Sequence, residues 1–414
     1  MDKKSMLPQE TGGQLLAGVA FMLSSRQRVI LYYCNENMSM ENSKKIFRIK
    51  GSIKHYEWGG KTFLPALLHL PNPEGKPFAE YWLGTQPGES FEKLPYLFKV
   101  QDVEKMLSIQ VHPTLEVARK KFAEENERGI PPDAPHRNYK DQNHKPEILS
   151  PLSDFYLLHG FKEQDQMHRI LSETAELGFL KDIFANGNYQ RLYETVMKMP
   201  QEEVNQRLKP LLDRILPLYN SGSLQKTQED FWAARAAITF NRGDNIDRGI
   251  FSIYLFNIVK MREGQALFQD AGLPHAYLEG HTMELMANSD NVLRGGLTPK
   301  HVDVPELLEQ VRYVGTRPNV IDAGTDAAGE QVYKTPATDF QLSRLMIRPE
   351  NALSIPTTRT DIYFVYAGNI DVAADDQHES FAAGEAFLVV PGTVAHVSSR
   401  ERAVVYRATE PVIS

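Results

Sequence analysis

The chain has 414 residues and one cysteine, carries 46 Lys and Arg against 53 Asp and Glu, and has a net charge of −7. That mild acidity argues against general affinity for nucleic acid or an anionic membrane, although a local cluster of Lys and Arg could still hold an anionic substrate. With Cys34 alone there is no internal disulfide framework, which fits a reducing cytoplasm, and any metal has to be held by His, carboxylate or amide groups.

Residues 1–45 stand apart. Lys3 and Lys4 precede an apolar run, Leu15 to Leu23, far shorter than the roughly 20 residues that span a bilayer. Arg26 and Arg28 follow, then a second apolar run from Val29 to Cys34. Three readings fit, in order of preference: a translated upstream region with the true start near Met38 or Met40, a disordered extension, and an export signal. From Ile46 to about Ser150, Phe47 to Ile49, Tyr96 to Val100 and Leu107 to Val111 read as strands between turn signals, and Leu115 to Asn126 as a helix.

Residues 163–245 change period. Met167, Ile170 and Leu171, then Leu192 and Val196, then Val204, Leu208, Leu211 and Ile215 recur at steps of three and four, which predicts helices, the last of them kinked or split by Pro210. From Ile250 the β-type pattern returns: Ser252 to Val259 and Ala266 to Gln269 are predicted strands, and Gln341 to Arg407 is almost wholly strand and turn. Val304 to Val311 reads as a short helix opened by Pro305. Gly264-Gln-Ala-Leu-Phe-Gln-Asp-Ala-Gly272-Leu-Pro-His275 can be laid against Gly384-Glu-Ala-Phe-Leu-Val-Val-Pro-Gly392-Thr-Val-Ala-His396, each a Gly turn, strand, Gly turn and His, with spacings that differ by one residue. Two double-stranded β-helix (cupin-type) barrels in one chain would produce such a pattern. The expected fold is mainly β with a helical insertion: a catalytic cupin-like domain at 46–162 and 246–335, an α-helical domain at 163–245, and a C-terminal cupin-like domain at 336–414.

Polar residues interrupt the β-type runs at telling spacings. In Ser108-Ile-Gln110-Val-His112-Pro113 alternate residues share a face, so Ser108, Gln110 and His112 point one way, to solvent or to a ligand. In Asn143-His144-Lys145-Pro146-Glu147, Lys145 and Glu147 alternate again, as a surface ion pair or as a carboxylate ligand beside a proton donor. Gly272-Leu-Pro-His275-Ala-Tyr277 sets His275 and Tyr277 on one face. Together Gln110, His112, Glu147 and His275 supply two imidazoles, a carboxylate and a neutral amide, a set suited to one divalent ion such as Zn²⁺ with an open position. Downstream, Glu284 to Lys300 carries Asp290, Arg294 before two glycines, and Lys300. Arg grips phosphate bidentately and glycine lets backbone approach a ligand; the plain alternative is a turn with an Asp290–Arg294 ion pair.

Tyr56-Glu57-Trp58-Gly59, Ala79-Glu80-Tyr81-Trp82-Leu83-Gly84, Leu94 to Val100, Leu107 to Pro113, Arg137 to Glu147, Leu273 to Gly280 and Glu284 to Lys300, in this order, resemble the type I phosphomannose isomerases. The resemblance runs from about Ile46 to the C-terminus. It implies interconversion of mannose 6-phosphate and fructose 6-phosphate, with one Zn²⁺ per chain on Gln110, His112, Glu147 and His275. It implies an essential arginine at Arg294, and Lys99, Ser108, Lys145, Tyr277, Glu284, Asp290, Lys300 and Trp58 as pocket residues. Moving a proton between adjacent carbons through an enediol requires stabilised negative charge, which a metal can supply, and a proton shuttle. Asp290, His144 with Lys145, Glu284 and a water at the metal are the candidate shuttles; Arg294, Lys300 and Ser108 are candidates for phosphate and transition-state charge. The expected partner is a small sugar phosphate, with neither nucleic acid nor membrane, and the expected enzyme is a cytoplasmic monomer. A non-catalytic sugar-phosphate-binding cupin protein is the alternative. Two departures from the family stand out. Only a few residues join Gln86-Pro87 to Leu94-Pro95, where the family has a longer segment with a helix. The C-terminal barrel keeps His396 without a Gln-x-His partner, so no second metal is expected there.

Overall fold

Tyr96–Val103 shows how the sequence builds the first β-domain. All eight residues are buried, but the two faces differ. Tyr96, Phe98 and Val100 join an apolar cluster with Leu342, Phe364 and Tyr406 of the C-terminal half. Lys99 and Gln101, on the alternate face, enter a cavity. The computed structural model describes residues 44–84, 94–325 and 329–411, so the N-terminal segment and the short connection from Gln86-Pro87 up to Leu94 lie outside the described residues.

The 13-residue strand His275–Ala287 organises this half. Its later residues lie between Tyr96–Val103 and Glu147–Pro151, whereas its start pairs with Phe155–Phe161 and, at His275, with Gln110. The partners change where the register shifts between Tyr277 and Glu279, next to Gly280 with φ +124. A Cβ there would stand 2.5 Å from the Asp154 carbonyl oxygen, so glycine lets one strand turn the barrel corner.

In the C-terminal half, Gln341–Ile347, Asp361–Ala367, Ala386–Val389 and Ala403–Thr409 share one sheet, and Leu353–Thr357, Asn369–Ala374, Gln377–Ala382 and Thr393–Ser398 form another. They enclose an apolar interior that includes Leu345, Tyr363, Phe381, Phe387 and Val405. The architecture is mainly β and cupin-like, with a helical region between Gln164 and Leu255. The internal sequence similarity is structural: Gly264 and Gly384 have φ +88 and +86, and Gly272 and Gly392 have φ +76 and +79. The extra residue after Gly392 shifts the two-residue phase. His275 is therefore buried, while His396 lies exposed against the Ser354 hydroxyl.

Elsewhere the structure departs from expectation. Ser252 to Leu255 belong to a helix, Gly249–Leu255, that precedes the strand Phe256–Met261. Every residue of that helix is buried, and a short apolar run carries no period to separate helix from strand. Pro210 does not split its helix: Gln201–Asn220 is one element, with Pro210 and Pro217 both exposed, where water serves the carbonyls they leave unpaired. The irregular stretch before Gln110 leaves a strand of only Gln110–Val111. Ile46–Ile49 pairs with Ala386–Val389 in the C-terminal sheet rather than with the residues that follow it. There the Gln377 side chain accepts from the Lys45 and Ile46 N–H groups and donates to the Ile46 carbonyl. Glu330–Tyr333 likewise pairs with Gln341–Ile347.

The helical residues picked out by their spacing, from Met167 to Ile215, bury themselves around Trp232 and against Tyr156 and Leu158 of the barrel. Trp232 is fully buried, and its indole N–H donates to the Lys226 carbonyl. Trp232→Ala should cost about 3–5 kcal/mol. The expected readout is a lower urea midpoint; an unchanged midpoint would show that the helical region is not fastened here.

Candidate metal centre

Two short strands assemble the site. Gln110–Val111 lies between the start of His275–Ala287 and the strand Leu293–Arg294, so His275, Gln110 and Arg294 are directly opposed in one row. Opposed residues of antiparallel strands project to the same face. Ile109 and Val111 turn the other way, into the core shared with the helical region.

Glu147 opens the strand Glu147–Pro151. Its Oε1 lies 3.3 Å from His112 Nε2, and its Oε2 lies 3.3 Å from His275 Nε2. The other ring nitrogens are occupied: His112 Nδ1 donates to the Asn291 carbonyl at 3.0 Å, and His275 Nδ1 to the Leu273 carbonyl at 2.9 Å. These bonds select the neutral tautomer that turns each Nε2 lone pair toward the carboxylate. His112 Nε2 is then buried with no hydrogen-bond partner among the described residues. Acceptors facing acceptors in a buried place fit a cation between them. The 3.3 Å spacing is also close to the roughly 3.4 Å edge of a tetrahedron with ~2.1 Å bonds.

The electrostatics agree with ligand roles. Burial pushes the His112 imidazole down to about 4 against the pull of Glu147, so it is neutral at pH 7. Burial opposes ionisation of Glu147. Lys145, 3.1 Å from Oε1, outweighs it and holds the carboxyl well below its ordinary range.

A small cavity opens beside these groups, lined by Gln110, Lys145, Glu147 and His275 and also by Glu80, Lys99, Gln101, Tyr277 and Glu284. Glu284 accepts from Lys99 Nζ at 2.8 Å, Gln101 Nε2 at 3.1 Å and the Tyr277 hydroxyl at 2.8 Å. Gln101 also donates to Glu80 at 2.8 Å, and Gln269 donates to the Tyr277 oxygen at 3.0 Å. Burial raises the Glu284 carboxyl despite Lys99. Among the carboxylates of the cavity, Glu147 is thus pushed down and Glu284 up by their surroundings.

The remaining expected residues sit farther out. Arg294 is half-buried, nothing among the described residues accepts from its guanidinium, and burial lowers its pKa. Lys300, exposed on the same loop, is lowered by partial desolvation and by Arg294 and Lys140 nearby. The Asp290–Arg294 ion pair does not form: Asp290 is exposed, with its N–H on the Asp141 carboxylate. His144 is turned to Asp339, 2.9 Å away. Neither of these, nor Ser108 or Trp58, lines the cavity; Trp58 packs on the cluster containing Tyr277 and stacks on Tyr56.

The sequence reading did not assign Glu80, Gln101, Gln269 and Asn291 to the site. Gln101 could have been found as a polar residue alternating with Lys99 in an otherwise apolar strand. Asn291 could not, because it works through the backbone. Its Oδ1 accepts from the Lys140 N–H at 2.7 Å, its Nδ2 donates to the Asp141 and Asn143 carbonyls, each at 2.8 Å, and its own carbonyl orients His112.

A buried two-imidazole, one-carboxylate cluster in a cupin-like barrel defines a metal-dependent cupin enzyme. Comparison with known proteins narrows the class. Residues 88–164 match the family model for the phosphomannose isomerase type I catalytic domain. Mannose-6-phosphate isomerase of Salmonella typhimurium is 32% identical over 380 residues, 83% of this chain and 94% of that protein. The Homo sapiens mannose-6-phosphate isomerase is 28% identical over 412 residues, 80% of this chain and 94% of that protein. A crystal structure of the Salmonella typhimurium enzyme bound to substrate (fructose 6-phosphate) and zinc matches with a TM-score of 0.76 at 30% identity, covering 89% of this chain and 100% of that one. The chain belongs to the type I phosphomannose isomerase family, whose members are aldose–ketose isomerases.

Asn291→Ala should weaken divalent-ion binding about 10–100-fold in folded protein, as loss of a partner that orients a ligand commonly does. Competition against a chromogenic chelator measures this, and wild-type affinity would show that the turn holds without the side chain.

Proposed function

We propose that this protein interconverts mannose 6-phosphate and fructose 6-phosphate, with one zinc ion held by Gln110, His112, Glu147 and His275. The observation that carries the reading is the buried convergence of His112, Glu147 and His275 in a chain of this family. When bound, zinc supplies Lewis-acid stabilisation of the negative charge that develops on the sugar oxygens. The rest falls to the chain's own residues.

Arg294 is assigned to the anionic end of the substrate. It is unpaired among the described residues, stands one strand from the donor set, and shares its rim with Lys300 and Lys140. Proton transfer is assigned to Glu284 with Lys145, which line the cavity, ahead of Asp290 and His144, which do not. Lys99, Gln101 and Tyr277 hold the Glu284 carboxylate in one orientation. Glu284 serves as base only while ionised, so it loses that role as falling pH protonates it. The enzyme is assigned as a cytoplasmic monomer of carbohydrate metabolism acting on a free sugar phosphate, and its modest net charge gives it no general affinity for anionic surfaces.

A coupled assay of mannose 6-phosphate conversion, with and without chelator, tests the reading; a folded, zinc-replete protein that turns nothing over would defeat it. Arg294→Ala should lower kcat/KM roughly 100-fold or more at unchanged zinc content, and metal loss in that variant would contradict its role. The acid limb of kcat/KM should follow protonation of Glu284, and Glu284→Gln should lose roughly 100-fold across the profile. Retention of the acid limb in a fully active Glu284→Gln enzyme would move the base elsewhere.

A further inference from the structure

None of the helical region's side chains lines the cavity, yet the residues that close this region grip the turn that follows Arg294. We propose that Asp247 is a positioning residue for Arg294: its carboxylate clamps the turn Gly295 to Thr298 and so sets where the guanidinium meets the substrate. The inference rests on the role given to Arg294 above.

Asp247 Oδ1 accepts from the Leu297 N–H at 2.9 Å and the Gly249 N–H at 2.7 Å, and Oδ2 accepts from the Thr298 N–H at 3.2 Å. Its own N–H is fixed on the Asn241 side chain at 3.0 Å. The neighbouring Arg248 donates to the Met197 carbonyl, so the Asp247 carboxylate spends its lone pairs on backbone rather than on an ion pair. From the other side the turn is hydrogen-bonded to the residue before Gln110: the Gly295 N–H donates to the Ile109 carbonyl at 2.9 Å, and the Ile109 N–H to the Gly296 carbonyl at 3.1 Å. The turn is held between the metal-ligand strand and the helical region.

The backbone itself needs such a hold. Leu297 has φ +53, a left-handed conformation costly for a leucine, and Gly296 has φ +118. Two of the contacts leave no room for a side chain: a Cβ on Gly296 would lie 2.7 Å from Gly249 Cα, and one on Gly249 would lie 2.6 Å from the Leu297 nitrogen. The Arg294 guanidinium makes no hydrogen bond or ion pair among the described residues. Its place therefore derives from its neighbours in the chain, and Asp247 is the carboxylate bound to them.

The plain alternative is that Asp247 only steadies the start of the helix Gly249–Leu255. A double-mutant cycle separates the two, because a residue acting through Arg294 has nothing left to act on once Arg294 is gone. Asp247→Asn keeps the size but sets an N–H against an N–H; Gly249→Ala pushes the same turn without changing a polar group. In zinc-replete protein with wild-type circular dichroism, each should lower kcat/KM for mannose 6-phosphate about 10–100-fold. In an Arg294→Ala background neither should lower it further. Multiplying losses in that background, or full activity in either folded single variant, would overturn the proposal. If Asp247→Asn is recovered only unfolded, Gly249→Ala decides by the same comparison. An Arg294→Ala enzyme as active as wild type would instead defeat the role given to Arg294.

Discussion

Two imidazoles whose Nδ1–H groups are already committed to carbonyls, and a carboxylate between them, have no way to satisfy one another inside a protein. Each presents lone pairs to the next across 3.3 Å, and Lys145 offsets the charge of the carboxylate without supplying a hydrogen to either imidazole. A cation resolves the conflict, and much of the barrel is arranged so that the conflict arises at one point. Glu147 is held between His275–Ala287 and Gln265–Gln269. His275 begins the long strand, and Gln110 is pinned opposite it. The corner at Gly280 lets that same strand deliver His275 at one end and Glu284 farther along to a single cavity.

The broad fold was legible because its signals are repetitive. Apolar residues at three- and four-residue steps predicted the helical insertion, and those from Met167 to Ile215 are buried as that period requires, Ile170 only partly. The paired Gly turns around Gly264, Gly272, Gly384 and Gly392 pointed to a doubled barrel, and all four adopt positive φ. The misreadings have local causes. Ser252 to Leu255 form part of a run with no polar residue facing water, so nothing in it distinguishes a strand's two-residue repeat from a helical one. The pairing of Ile46–Ile49 with Ala386–Val389 depends on a strand at the far end of the chain, which no window of sequence reports.

The candidate ligands were legible from their i and i+2 spacing together with family likeness, and His112, Glu147 and His275 converge in one cluster. Gln110, a neutral amide, is paired with His275 along the strands and lines the same cavity. Side chains that act on side chains are harder to see. Lys99 to Glu284 to Tyr277 is a chain of contacts between residues up to 185 apart, and its members look like isolated polar residues in apolar strands. Partners that act through main-chain groups, as Asn291 and Asp247 do, leave no compositional trace at all. His144 shows the converse: next to Lys145 in sequence, it faces Asp339 instead of the cavity, because successive residues of an extended segment point to opposite sides.

The strand Ile46–Ile49 also bears on how this chain reaches its final form. Its backbone is satisfied by Gln377, 331 residues away, and by the edge of a sheet made near the end of synthesis. During translation the segment leaves the ribosome long before its complement exists, and the loop that joins them is closed at a high entropic cost. Only a formed C-terminal sheet can catch the strand Ile46–Ile49, which then acts as a clasp. Until then both partners present bare edges, the feature that invites association with other chains. The distant barrel, which lends few groups to the chemistry, is thus the part that completes and seals the molecule.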